Sequence, residues 1–248
     1  ETHKALLTTY PDYFMNVYPT RRSAAAPQRI YDATARIALT TQLIEGGNGV
    51  TGGTVGIPFP IPKDGVEAIW NHILRWRALS AERAIGQTAV TREGSYTMVK
   101  FVDNYLAQYA MEGITEEELD NVIIFFKQRV AAPARLAGEV LLVHETMDQN
   151  KENRRAWLYN PGQRRVRRAP NVAYDNPGTA SDGLRTNDMT DMFNGAMDRF
   201  DWELVGKQEM YVPYNSYRLQ DPSVKIKDIL TPLHINQDLA RYELHRVW

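Results

Sequence analysis

The sequence predicts an α+β fold that is mainly β, an antiparallel sheet covered by a few helices. Three observations predict it. From Ala81 to about Arg168 apolar and polar residues alternate with the period of a strand. Turn signals cut that stretch into hairpins, the sharpest being Asn160-Pro161-Gly162. The clearest amphipathic helix opens at Asp64, ahead of the strands.

The elements follow in order. Residues 1 to 26 mix aromatics with turn residues (Tyr10, Pro11, Tyr13, Phe14, Tyr18, Pro19) and read as extended chain packed on something, not as helix. Ser23 and Pro27 bracket the start of a helix with Ile30, Tyr31, Thr34 and Ile37 at helical spacing, ending near Ala38 to Thr41. Gly46 to Gly56 form a flexible loop, and Pro58, Pro60 and Pro62 force an extended strip. Asp64 caps the next helix, with Glu67 completing a capping-box-like pair. Val66, Ile69, Trp70, Ile73 and Leu74 share its apolar face; Glu67, Asn71 and Arg75 mark the opposite one.

Ala89 to Thr91 and Tyr96 to Tyr109 read as a hairpin about Arg92-Glu93-Gly94-Ser95. Residues 122 to 132 and 136 to 147 make a second pair, broken near Pro133. Ala156 to Tyr159 and Arg164 to Arg168 make a third. Residues 169 to 183, with Pro170 among them, are loop, and a short helix is expected over Asp188 to Asn194. Strand returns over Trp202 to Val212, then a short helix at Ile226 to Leu230 and a final strand. No linker or repeat interrupts residues 1 to 248, so one domain is expected. Its ends, Glu1 without a Met and Trp248 inside an alternating stretch, read as those of a processed or truncated piece.

Composition narrows function. The chain has 248 residues, enough to bury a core without disulfide or metal support. A formal charge of -1 gives no support for nucleic-acid binding. The absence of cysteine excludes disulfides, thiol catalysis and cysteine-held metals within this stretch. No apolar run approaches the ~18 residues of a membrane span.

The motifs argue against chemistry. Gly47-Asn48-Gly49-Val50-Thr51-Gly52 matches the dinucleotide fingerprint literally, but the prolines behind it forbid the helix that must hold the pyrophosphate. His3, His72, His144, His234 and His245 never fall at metal-ligand spacing, so neither metal nor cofactor is expected. No nucleophile motif occurs, and a non-enzyme is expected. A hydrolase built from scattered acids would require a cleft where two carboxylates, or a carboxylate and a histidine, converge. Around the third hairpin Lys151, Arg154, Arg155, Arg164, Arg165, Arg167 and Arg168 alternate with Trp157, Tyr159 and Val166, which suggests one apolar and one cationic face. Such a cluster either meets anionic groups or is simply solvated.

Longer strings carry a resemblance. RSAAAPQRIYDATARI, from Arg22, then EGGNGVTG and GIPFPIPKDGVEAIW, then AWLYNPGQRRVRRAP and DMFNGAMDRFDWELVGKQEMYVPYN resemble the domain-of-unknown-function family 1329 over nearly the whole chain. Trp157 to Arg168 also resembles a hairpin of the periplasmic lipoprotein-sorting proteins of the LolA and LolB type. The resemblance implies a strongly curved antiparallel sheet, an incomplete barrel whose mouth helices cover, sheltering acyl chains without chemistry. It implies a periplasmic or outer-membrane-associated location and peripheral membrane contact.

The expected function is therefore a non-enzymatic carrier of acyl chains, a lipoprotein or another hydrophobic molecule. Phe59, Ile61, Ile69, Trp70, Ile73 and Met192 are its expected ligand-binding residues. Arg164, Arg165, Arg167 and Arg168 are expected to meet a partner or lipid headgroups. The alternative is a protein-interaction scaffold for an envelope transporter, with no small ligand.

Overall fold

The computed structural model describes residues 2–169, 172–232 and 234–248; Glu1 and Pro170 lie outside them. In chain order the elements are α1 Thr2–Thr9, β1 Val17–Tyr18, α2 Gln28–Ile37, β2 Gln42–Leu43, β3 Val50–Thr51 and α3 Gly65–Ile73. Strands β4 Ser80–Gln87 and β5 Val99–Ala107, helix α4 Glu116–Leu119, then strands β6 Val122–Ala132, β7 Val140–Thr146, β8 Arg155–Asn160 and β9 Arg165–Arg168 follow. Strand β10 Gln208–Pro213, helix α5 Ile226–Ile229 and strand β11 Tyr242–Val247 complete the chain. They group into two compact units. The reading of one continuous domain does not separate these units because no linker marks the boundary: the first takes residues 1–25, 90–97 and 205–248, and the second takes 26–89 and 98–204.

The first unit holds a three-stranded sheet in the order β1-β11-β10, with β1 parallel and β10 antiparallel to β11. Its core is aromatic. Tyr13 and Tyr242 are buried, and the His3 ring meets Tyr242 edge-on at 5.0 Å while its Nδ1 lies 3.2 Å from the Tyr13 hydroxyl. Burial pushes the Tyr242 phenol up to about 12, with Tyr13 adding to the shift. Here the expectation of extended chain fails: Thr2–Thr9 is helical. The turn residues begin only at Tyr10 and Pro11, whereas Ala5, Leu6 and Leu7 are good helix formers, and His3 ties the helix to the aromatic core.

The second unit is built on one six-stranded antiparallel meander, β4-β5-β6-β7-β8-β9. The sheet is open, since its first and last strands pair only inward, so no barrel closes among the described residues. The hairpin about Arg92 to Ser95 is a turn with one bridge, Val90 to Tyr96, and the ladder begins further out, at Gln87 opposite Val99. Residues 202 to 207 are not strand; β10 starts at Gln208.

Residues directly opposite in an antiparallel pair share a face. One face of the meander therefore carries Phe101, Asp103, Tyr105 and Ala107 with Val130, Gln128, Phe126 and Ile124. It is covered. Ala107 and Ile124 join Trp70, Ile73, Leu74 and Tyr109 in the main apolar cluster, so α3 lies on this face. Further along, Val99, Phe101 and Val130 form a second cluster capped by Leu136 and Ala180.

Helix α3 forms for the reasons its sequence gives. Asp64 caps it by accepting from the Glu67 amide at 2.9 Å. Glu67, expected on the exposed face, is buried, because its carboxylate folds back to accept from the Lys63 amide at 2.6 Å. The glycine loop seats this helix: Gly47 has φ 73°, a left-handed backbone that favours glycine, and its carbonyl accepts from the Trp70 indole at 2.9 Å. A side chain on Gly47 would sit 2.9 Å from Val66.

Candidate functional site

The other face of the meander carries the candidate site. Val140 faces Tyr159, which faces Val166; Leu142 faces Trp157; and His144 lies beside them on β7. These six side chains line an open groove of about 430 Å³. That volume lies in the range of small-molecule sites, about 300–1,000 Å³. None of the six belongs to either apolar cluster, and Val166 is 62% exposed. Strand period and register together assemble them: Val140, Leu142 and His144 are two apart on β7, Trp157 and Tyr159 are two apart on β8, and the cross-strand register aligns these with each other and with Val166.

His144 is the groove's ionisable group. Its ring meets Phe125 edge-on at 4.7 Å and Trp157 at 4.8 Å, so an aromatic ladder crosses β6, β7 and β8. Burial, and then the neighbouring Arg155 guanidinium, hold its imidazole below the ordinary histidine range. The neutral imidazole is therefore favoured, as suits an apolar groove. Its buried Nδ1 has no hydrogen-bond partner among the described residues.

The basic cluster divides into committed and free members. Arg154 is locked inside: its Nε donates to Glu145 at 2.6 Å and its other nitrogens donate to the carbonyls of Val172 and Asn194. Arg155 pairs with Glu152 at 3.5 Å. Arg164 sits in the turn with φ 53°, and all of β9 is exposed. The expected split into one apolar and one cationic face is only partly met. Trp157, Tyr159 and Val166 do share a face, and Arg165 and Arg167 take the other, but Arg168 lies opposite Trp157 on the apolar side.

The expected ligand-binding residues do not come together. Trp70 and Ile73 are core, and Ile69 packs against that core. Phe59 and Ile61 line a separate open groove of about 410 Å³ with Ala38, Leu43, Lys63 and Glu67. Asn71 fixes that strip by bonding both the amide and the carbonyl of Phe59, at 2.8 and 2.6 Å. Met192 is 86% exposed on a loop. The helix expected over Asp188 to Asn194 is absent: Asp191 and Met192 are left-handed, with φ 57° and 71°. The cause is tertiary. Arg75 donates to both Asp191 oxygens, at 2.8 and 2.7 Å, and Arg77 donates to one of them. Burial alone would push the Asp191 carboxyl up, but these guanidinium contacts outweigh it and hold it below its usual range.

The motif that imitated a phosphate loop holds an anion of the chain's own. The amides of Gly52 and Gly53 both donate to the Glu116 carboxylate, and the Thr51 hydroxyl adds a bond of 2.9 Å. A carboxylate and a histidine do converge, at Glu243 and His245, 3.2 Å apart. Glu243, fully buried, also accepts from the Arg21 amide at 2.7 Å and from Arg241 at 3.0 Å, so its carboxylate is already engaged by donors of its own unit. Burial pushes its carboxyl up; these donors overcome that and hold it below the usual range.

Fold and site define a mainly-β protein whose open antiparallel sheet is covered on one face and presents an apolar groove on the other. The chain belongs to the family "Protein of unknown function (DUF1329)", whose model matches residues 1–248. It is 55% identical over 245 residues to the uncharacterised protein PA3922 of Pseudomonas aeruginosa, a match covering 98% of this chain and 54% of that protein. The chain thus spans about half the length of the curated relative it matches. A solved family member from Desulfovibrio piger is similar over 59% of this chain and 57% of its own, at 18% identity and TM-score 0.41. A domain assigned to outer membrane lipoprotein sorting, from Vibrio parahaemolyticus, is similar over 61% of this chain and 55% of its own, at 13% identity and TM-score 0.39. No helix among the described residues is long and apolar enough to cross a membrane.

Proposed function

We propose that this chain is a non-enzymatic envelope protein that carries an acyl chain or another apolar molecule on the uncovered face of its meander. The observation that carries the reading is the groove of Val140, Leu142, His144, Trp157, Tyr159 and Val166. This apolar face lies outside both core clusters, and contiguous accessible apolar surface marks ligand or partner sites. The preference of His144 for its neutral form suits the apolar floor of the groove. The periplasmic or outer-membrane-associated location is part of this proposal and rests on the family strings.

Native mass spectrometry on protein purified from its own cells tests the reading. An acyl compound is expected to co-purify, and to be lost in Val166→Asp, a change at an exposed position. Protein that carries no apolar compound, and takes none up when offered, would overturn it.

A second reading is favoured by β9, whose outer edge is unpaired among the described residues and whose Arg165 and Arg167 point away from the groove. A scaffold for an envelope transporter would use that edge. Charge reversal of Arg164, Arg165 and Arg167 is then expected to abolish partner pull-down while leaving acyl binding intact. Pull-down that survives the reversal removes the edge as the partner site.

A further inference from the structure

The groove is apolar along its floor and cationic at its margins. Lys127 of β6 lies directly opposite Leu142, and Arg129 opposite Val140. At the other side Arg155 lies opposite His144, and Arg168 opposite Trp157. All four therefore share the groove's face of the sheet. No acidic residue of β6, β7, β8 or β9 shares that face: Glu145, the one acid these strands contain, projects from the opposite side and is bound to Arg154. Glu152, which pairs with Arg155, lies ahead of β8. The ion pairs among the described residues do not include Lys127, Arg129 or Arg168. The Arg155 Nε is buried without an acceptor among the described residues, as is the Nδ1 of His144, the residue opposite it.

Such a margin is unbalanced. An uncharged tail would be served by the floor alone, and a cationic ligand would be repelled by Lys127, Arg129 and Arg168, the charge of Arg155 being offset in part by Glu152. A buried guanidinium nitrogen without an acceptor costs free energy that an arriving anion removes. We infer that the ligand is an anionic amphiphile: its single carboxylate or phosphate head sits at the corner made by Arg155 and Arg168, and its tail runs over Trp157, Leu142, Val140 and Tyr159. This rests on the carrier reading and adds the charge and orientation of the ligand.

Three probes with one tail and different heads separate the two claims: dodecanoate, dodecanol and dodecyltrimethylammonium, each titrated calorimetrically into the chain, the two ions below their micelle concentrations and the alcohol below its solubility limit. Dodecanoate is expected to bind about tenfold or more tighter than dodecanol, one charge-assisted contact being sufficient for that ratio. The ammonium is expected to bind weakest. Raised salt should narrow the gap by screening the exposed part of the margin. Arg168→Gln, at an exposed position, should lower dodecanoate affinity while leaving dodecanol unchanged; Lys127→Gln, also exposed, supplies a second variant whose fold is checked by circular dichroism. Equal affinity for dodecanoate and dodecanol would overturn the anionic head while the carrier reading stands. Binding of none of the three would overturn the carrier reading and this inference with it.

Discussion

His144 shows how a residue's neighbours set its role. A histidine on a strand with no second histidine at ligand spacing suggests no chemistry, and the structure packs it between Phe125 and Trp157. Its pKa is lowered by burial first and Arg155 second. The neutral form is favoured in the folded chain, so the sign follows: as pH falls through the unfolded value of 6.5 the unfolded chain takes up a proton that the folded chain refuses, and stability declines until the folded pKa is passed. NMR titration should find the His144 pKa below 6.5, and Arg155→Gln should raise it. A pKa at or above 6.5 would contradict the packing described. Glu243 carries the opposite linkage. Its pKa is depressed, so its contribution is present above the unfolded carboxylate range and is lost as pH falls through the folded value. Glu243→Gln should destabilise the chain at pH 7, and denaturant titrations at falling pH should show a smaller loss of stability in this variant than in the parent.

Elements were legible in the sequence where their signals are local. Helix α3 could be placed because Asp64, the apolar spacing and Glu67 all lie within one stretch, and Asp64→Ala should cost about 1 kcal/mol, read from the denaturation midpoint at unchanged slope. The β8–β9 hairpin was legible from its Asn-Pro-Gly turn, whose Asn160 side chain accepts from the Gln163 amide at 2.9 Å. The helix expected at Asp188 to Asn194 was not, because Arg75 and Arg77, more than a hundred residues earlier, decide the backbone of Asp191. Asp191→Ala should release that segment, seen as faster amide exchange over residues 188–194, while α3 stays protected. The start of β5 was misplaced for a related reason: residues 96–98 alternate like strand, but the ladder with β4 begins only at Val99.

The site was legible only in fragments. Trp157, Tyr159 and Val166 could be assigned to one face from alternation, whereas joining them to Val140, Leu142 and His144 needs the β7–β8 register, which no local signal carries. Phe59, Ile61, Trp70 and Met192 are all apolar candidates for a cavity or its lid, and apolar character does not distinguish core from cavity: Trp70 is fully buried and Met192 almost fully exposed.

At the scale of the whole molecule, the family strings and the strand alternation agree on a mainly-β chain, and the meander fulfils that agreement. Its two faces have different work. The one under α3 supplies the folded core, and the one along β6 to β9 is left to a ligand. Amide chemical-shift mapping during a dodecanol titration tests this division most directly, since a neutral tail reports on the floor and not on the margin. The account predicts saturable shifts at residues 140–144, 157–159 and 166, with little change at Phe59 and Ile61. Saturable shifts at Phe59 and Ile61 that leave β7, β8 and β9 unmoved would contradict it.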